Sequence, residues 1–170
     1  RSVPVTVDVV VDNSPPSAPR VRFAKSAVAA PEGPKVEVVS HAADLDGDNV
    51  QYRHRFYRNG VRVKLPESDP TVPPAMIQRG DRWWVEVFAF DGQEEGPPGT
   101  AEATIINGAP MAPKVAFRVA QMTVAGPLQV DVTEQAKDYD GDKLSYRYKY
   151  FRNGRTETVP SGARVLPKRF

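Results

Sequence analysis

Apolar and polar side chains alternate with a period of two along much of this chain. Val36 and Val38 flank Glu37. Val50, Tyr52, His54 and Phe56 alternate with Gln51, Arg53 and Arg55, and Trp83, Val85, Val87 and Ala89 alternate with Trp84, Glu86, Phe88 and Phe90. β-Branched and aromatic residues in this rhythm, bounded by Pro, Gly, Asn and Asp, predict strands with one buried face. No stretch sustains the period of an amphipathic helix. Asn59-Gly60 suits a type I′ hairpin turn, whose two central residues both need positive φ. Parity assigns His54 to the core rather than to a ligand or base role. The opposite face collects Arg53, Arg55 and Tyr57 beside Trp84, Phe88 and Phe90. Two readings of that face stand side by side: a cross-strand ladder of guanidinium groups on rings, or a surface for a protein partner or a neighbouring copy, where aromatics and Arg concentrate.

The pattern recurs. An offset of 94 residues aligns Asn13 with Asn107, Pro16 with Pro110, Pro19 with Pro113, Val21 with Val115 and Phe23 with Phe117. It also aligns Val36 and Val38 with Val130 and Val132, Asp44-Leu-Asp-Gly-Asp48 with Asp138-Tyr-Asp-Gly-Asp142, and Asn59-Gly60 with Asn153-Gly154. About seven short strands per unit predict a two-sheet sandwich. Residues 13–106 are expected to form a complete repeat and residues 107–170 the N-terminal part of a second. Residues 1–12 are expected to be the last strand of a preceding repeat, because VDVVVD at 7–12 aligns with AEATII at 101–106. The chain therefore reads as a segment of a longer array. Alternatively, the ends of two copies complete each other by strand addition.

The order N-x-x-P-x-x-P, D-x-D-G-D-x-V-x-Y, N-G and G-D-x-W-x-V-x-V-x-A-x-D-G resembles immunoglobulin-like modules of the PKD and bacterial cadherin-like type. Asp44, Asp46, Gly47, Asp48 and Tyr52 carry the resemblance in the first unit, and Asp138, Asp140, Gly141, Asp142 and Tyr146 in the second. Such modules usually place a Trp where Phe56 and Tyr150 stand here. The resemblance implies an all-β fold of tandem immunoglobulin-like β-sandwiches, the second one incomplete. It further implies an extracellular, cell-surface or periplasmic location and a structural, spacing or adhesive role rather than catalysis. An alternative role is a non-catalytic accessory module of a secreted hydrolase.

Composition is that of a folded chain: 40% hydrophobic and 26% charged over 170 residues. There is no cysteine, hence neither a disulfide framework nor a thiolate. Apolar runs are only a few residues long, which predicts no direct membrane insertion. The net charge of +2 is too close to neutral to suggest nucleic acid. The halves differ, however: residues 1–107 carry 12 basic and 15 acidic side chains (net −3), residues 108–170 carry 11 and 6 (net +5). The basic piece could meet an acidic partner, or simply be a solvated surface.

The aspartate loops invite a metal. An EF-hand is excluded, since counting from Asp44 the glycine falls fourth and Arg55 twelfth. A turn between exposed strands offers no cleft for a catalytic carboxylate pair, and no nucleophile–base–acid spacing or phosphate loop occurs. No cofactor is required. Calcium, which takes about six to eight hard oxygens in irregular loops, is the remaining candidate, and cadherin-like arrays are stiffened by it at their joints. The resemblance would place Asp44, Asp46, Asp48 and Asp91 at one joint near Asp12-Asn13. It would place Asn107, Asp138, Asp140 and Asp142 at the next, with Asp81 or Glu32 approaching. The competing expectation is a bare turn, because Asp and Asn bond their own backbone. Arg79-Gly80-Asp81 spells an adhesion tripeptide, yet Gly-Asp at this place is expected to form the entry turn of the Trp83 strand.

Overall fold

The computed structural model describes residues 5, 7–118, 128–157, 163 and 165–166. The chain divides into two compact units, Arg1–Asn107 and Gly108–Phe170. Among the described residues there is no α-helix; a single 3-10 turn, Pro74–Met76, accompanies the strands. The protein is all-β.

Seven strands build the first unit: β1 (Arg20–Phe23), β2 (Ala27–Ala29), β3 (Val36–Ser40), β4 (Gln51–Arg58), β5 (Val61–Val63), β6 (Arg82–Phe90) and β7 (Gly99–Ile106). They form a five-stranded sheet in the order β2-β7-β6-β4-β5 and a β1-β3 pair, to which Thr71 adds a single bridge at Lys35. Only β2 runs parallel to its neighbour, β7.

The central event is the β4–β6 ladder, which runs from Gln51 opposite Phe90 to Arg58 opposite Trp83. Successive side chains on a strand point to opposite faces, so this register turns Tyr52, His54 and Phe56 inward with Trp83, Val85, Val87 and Ala89. Phe56, Val85, Val87 and Ala89 are fully buried. Phe23, Val28, Val36, Val72, Ala103 and Ile105 complete one core between the β1-β3 pair and the larger sheet, a sandwich-like arrangement. At the end of β4 the chain reverses through Asn59 (φ 51°) and Gly60 (φ 83°), both positive as a type I′ turn demands.

The segment leading into β1 is docked rather than free. Pro16 and Pro19 are buried. Ser17 N–H donates to the Ala43 carbonyl at 2.9 Å, and Ala43 N–H donates to Ser17 Oγ at 2.8 Å. Gly96 faces Pro16 so closely that a Cβ there would stand 1.8 Å from the Pro16 carbonyl oxygen. Only glycine allows the backbones this approach.

The second unit holds β8 (Lys114–Phe117), β9 (Leu128–Glu134), β10 (Tyr150–Arg152), β11 (Arg155–Glu157) and β12 (Val165–Leu166). The β8–β9 pairing repeats the β1–β3 register 94 positions later: Val115 opposite Val132 and Phe117 opposite Val130, as Val21 opposes Val38 and Phe23 opposes Val36. Among the described residues its core holds Val130 and Tyr150 buried, with Leu128 and Tyr148 packed against them. Phe117 is 53% exposed where Phe23 is 5% exposed.

Two stretches that alternate like strands are not in ladders. Residues 7–12 are irregular, with Val7, Val9, Val10 and Val11 exposed. Residues 145–149, aligned with the first five residues of β4, join no strand. The physical reason is shared. A strand is fixed by a neighbour that accepts its N–H groups, and neither stretch has one among the described residues, whereas β4 lies between β5 and β6.

Replacing Phe56 by Ala should therefore cost about 3–5 kcal/mol in denaturant unfolding. Val61→Ala, at a 70% exposed position, should stay within about 0.5 kcal/mol.

Candidate functional site

Two features could do work beyond folding: the aspartate loops and the outward face of the large sheet. In the first loop, Asp44 Oδ1 accepts the backbone N–H of Asp46 at 2.9 Å and of Asp48 at 3.1 Å. That closes an Asx-type turn. The second oxygen, Oδ2, is buried without a partner. Asp46 Oδ2 reaches out of the turn to accept the N–H of Ser14 at 2.7 Å. Tyr52 supports the loop from β4, its hydroxyl oxygen accepting the N–H of Ala42 at 3.0 Å.

Asp91 holds the same incoming segment from the other side. It accepts Asn13 Nδ2 at 2.9 Å and the N–H groups of Gln93 and Glu94 at 2.7 Å each. The hydrogen bond from Asn13, followed by those from Glu94 and Gln93, holds the Asp91 carboxyl below its ordinary range.

The second loop makes the same bonds. Asp138 Oδ1 accepts the N–H of Asp140 at 2.8 Å and of Asp142 at 3.1 Å. Asp140 Oδ2 accepts the N–H of Gly108 at 2.6 Å, and the Tyr146 hydroxyl accepts the N–H of Ala136 at 2.9 Å. Met111 N–H donates to the Lys137 carbonyl as Ser17 does to Ala43. Asn107, aligned with Asn13, instead accepts the Arg79 guanidinium through its side-chain oxygen.

These bonds bear on calcium. Asp44 Oδ1, Asp46 Oδ2, both Asp91 oxygens, Asp138 Oδ1 and Asp140 Oδ2 accept N–H donors, whereas Asp44 Oδ2 is buried without a partner. Among the described residues no three His, Asp or Glu side chains gather into a group that could hold a metal. The arrangement fits a turn that captures backbone amides.

Arg79-Gly80-Asp81 is built into the sheet edge. Asp81 is only 5% exposed. Its Oδ2 accepts the N–H of Gln78 at 2.7 Å and lies 2.8 Å from Arg58 Nε, while Oδ1 accepts Asn59 Nδ2 at 3.0 Å. Burial pushes this carboxyl up, but the hydrogen bonds from Arg58, Gln78 and Asn59 outweigh it and hold it low. The tripeptide thus pins the hairpin turn to the start of β6, and its carboxylate is already engaged.

On the outward face, Arg53, Arg55 and Tyr57 stand beside Trp84, Phe88 and Phe90. The Arg53 guanidinium lies 3.6 Å from the Phe90 ring centroid and that of Arg55 lies 4.2 Å from Phe88. Carboxylates close the ladder. Glu95 takes Arg53 at 2.9 Å and Arg55 at 2.8 Å, Glu67 takes Arg55 at 3.1 Å, and the Tyr57 hydroxyl donates to Glu86 at 2.9 Å. Burial would raise the Glu95 carboxyl, but hydrogen bonds from both arginines hold it below its usual value. Each stacked pair contributes about 0.5–1 kcal/mol.

Period-two reading could not reveal Glu67 and Glu95, because both lie in loops that only the finished fold brings over the strand. Glu86 was visible in the alternation of β6. His54 is buried, with Nδ1 3.0 Å from the Glu67 carbonyl and its ring stacked on Phe56.

No family model matches the sequence, and no curated protein matches it significantly.

Asp81, Asp91 and Glu95 share a direction, and the sign of its effect is fixed. A carboxyl held low in the folded state stabilises the fold above its unfolded value, near 4. That contribution disappears as pH falls through the depressed folded value. The thermal midpoint should drop between roughly pH 5 and pH 2, and the drop should shrink in Asp91→Asn.

Proposed function

We propose that the chain is a structural, partner-binding spacer made of tandem immunoglobulin-like modules of the PKD or cadherin-like type, in an exported or cell-surface protein. The strand order supports the module. β1 pairs with β3 in one sheet while β2 runs parallel with β7 in the other, and Greek-key sandwiches of this kind carry β7, β6 and β4 as neighbours. The recurrence of the same register and loop bonds 94 positions apart supports the tandem. The exported location rests on the resemblance of the D-x-D-G-D-x-V-x-Y and G-D-x-W motifs.

One observation carries the spacer reading. Asn107 is bonded to Arg79 of the first unit, and the next residue, Gly108, is bonded to Asp140 of the second. Each bond lies within one unit and holds that unit's own end of the connecting segment. The proposed stiffening element is the carboxylate–amide clasp, with calcium unnecessary to it.

Two outcomes follow. Asp140→Ala should lower the heteronuclear NOE of residues 107–111 while leaving the first unit's unfolding midpoint unchanged; unaltered NOE values would contradict an anchored joint. Calcium against chelator should leave the melting midpoint where it is, since a calcium site filled to 100 times its dissociation constant would add about 2.7 kcal/mol.

A further inference from the structure

The outward sheet face is a series of rungs, and one of them is open. At the Phe90 and Phe88 rungs an arginine of the same chain covers the ring, and a glutamate covers the arginine. Further back along β6 the pattern begins again. Trp84 stands opposite Tyr57 on β4 and opposite Glu102 on β7. Glu86 lies beside it, bonded to the Tyr57 hydroxyl. Ring and carboxylates are in place, yet among the described residues no cation lies over the Trp84 ring and none pairs with Glu102.

The opening is a groove of about 960 Å³ lined by Tyr57, Arg82, Trp84, Glu86, Glu102 and Thr104 among others. Trp84 is 36% exposed there.

We propose that this groove binds an arginine side chain presented by a partner protein, which completes the third rung. Indole is the best aromatic surface for a cation. A guanidinium is planar, stacks on a ring and presents forked donors to carboxylates, which Lys does not. The chain itself uses Arg at both filled rungs. The charge balance agrees, because residues 1–107 carry 12 basic against 15 acidic side chains. Arg82 at the rim opposes the incoming charge and keeps the affinity modest. This deepens the partner-binding part of the spacer reading. A failed titration would leave the anchored Asn107–Gly108 joint untouched, so the two can fail separately.

The test is an NMR titration of the ¹⁵N-labelled 170-residue chain, read at the Trp84 indole N–H. The probes are a capped Gly-Gly-Arg-Gly-Gly peptide, its citrulline analogue, and cellotetraose as a neutral sugar. The arginine peptide should shift the Trp84 resonance saturably. Binding should weaken about tenfold with citrulline or in Glu102→Gln, strengthen in Arg82→Gln, and stay unchanged in Glu32→Gln. An unmoved Trp84 resonance, equal binding of the citrulline peptide, or a response to the sugar alone would overturn the proposal.

Discussion

The register of the β4–β6 ladder is the constraint on which the rest depends. Pairing Gln51 with Phe90 and Arg58 with Trp83 decides, residue by residue, what is inside and what is outside. A slip of β4 by one position would turn Tyr52, His54 and Phe56 to solvent and drive Arg53 and Arg55 into the core. The cost of burying two guanidinium groups without partners makes that alternative inaccessible. Register also assembles the outer face, because only this pairing sets Tyr57 against Trp84 and leaves Arg53 and Arg55 within reach of Phe90 and Phe88.

The two ends of that sheet are secured by different devices that share one chemistry. At one end Asp81 gathers Arg58, Asn59 and Gln78 and locks the hairpin turn to β6. At the other, Asp46 and Asp91 take hold of the incoming segment at Ser14 and Asn13. In each case a short carboxylate satisfies backbone or amide donors that would otherwise be left to water. Aspartate suits this, since its oxygens reach a neighbouring amide without the entropy of a longer side chain.

Much of the fold was legible because it is local. Alternation at 51–58 and 82–90 reflects the strand's own geometry, and Asn59-Gly60 announces its turn. The inward placement of His54 followed from parity alone. What stayed hidden depends on contacts distant in sequence. The bond from Ser14 to Asp46 spans 32 positions and those from Arg53 and Arg55 to Glu95 span 42 and 40; no periodic pattern marks them. The aspartate loops showed their residue types but not the N–H donors that those carboxylates meet. Residues 7–12 and 145–149 show the converse, where pattern is present but no neighbour among the described residues holds it in a ladder.

The central claim is that each unit grips its own leading segment through the second aspartate of its loop. Amide hydrogen exchange at Ser14 and Gly108 measures this directly. Both amides should exchange markedly more slowly than neighbouring exposed amides such as Val11 and Ala109, by an amount that reflects a bond to a charged acceptor. Exchange at the rate of an open chain at both positions would contradict the account.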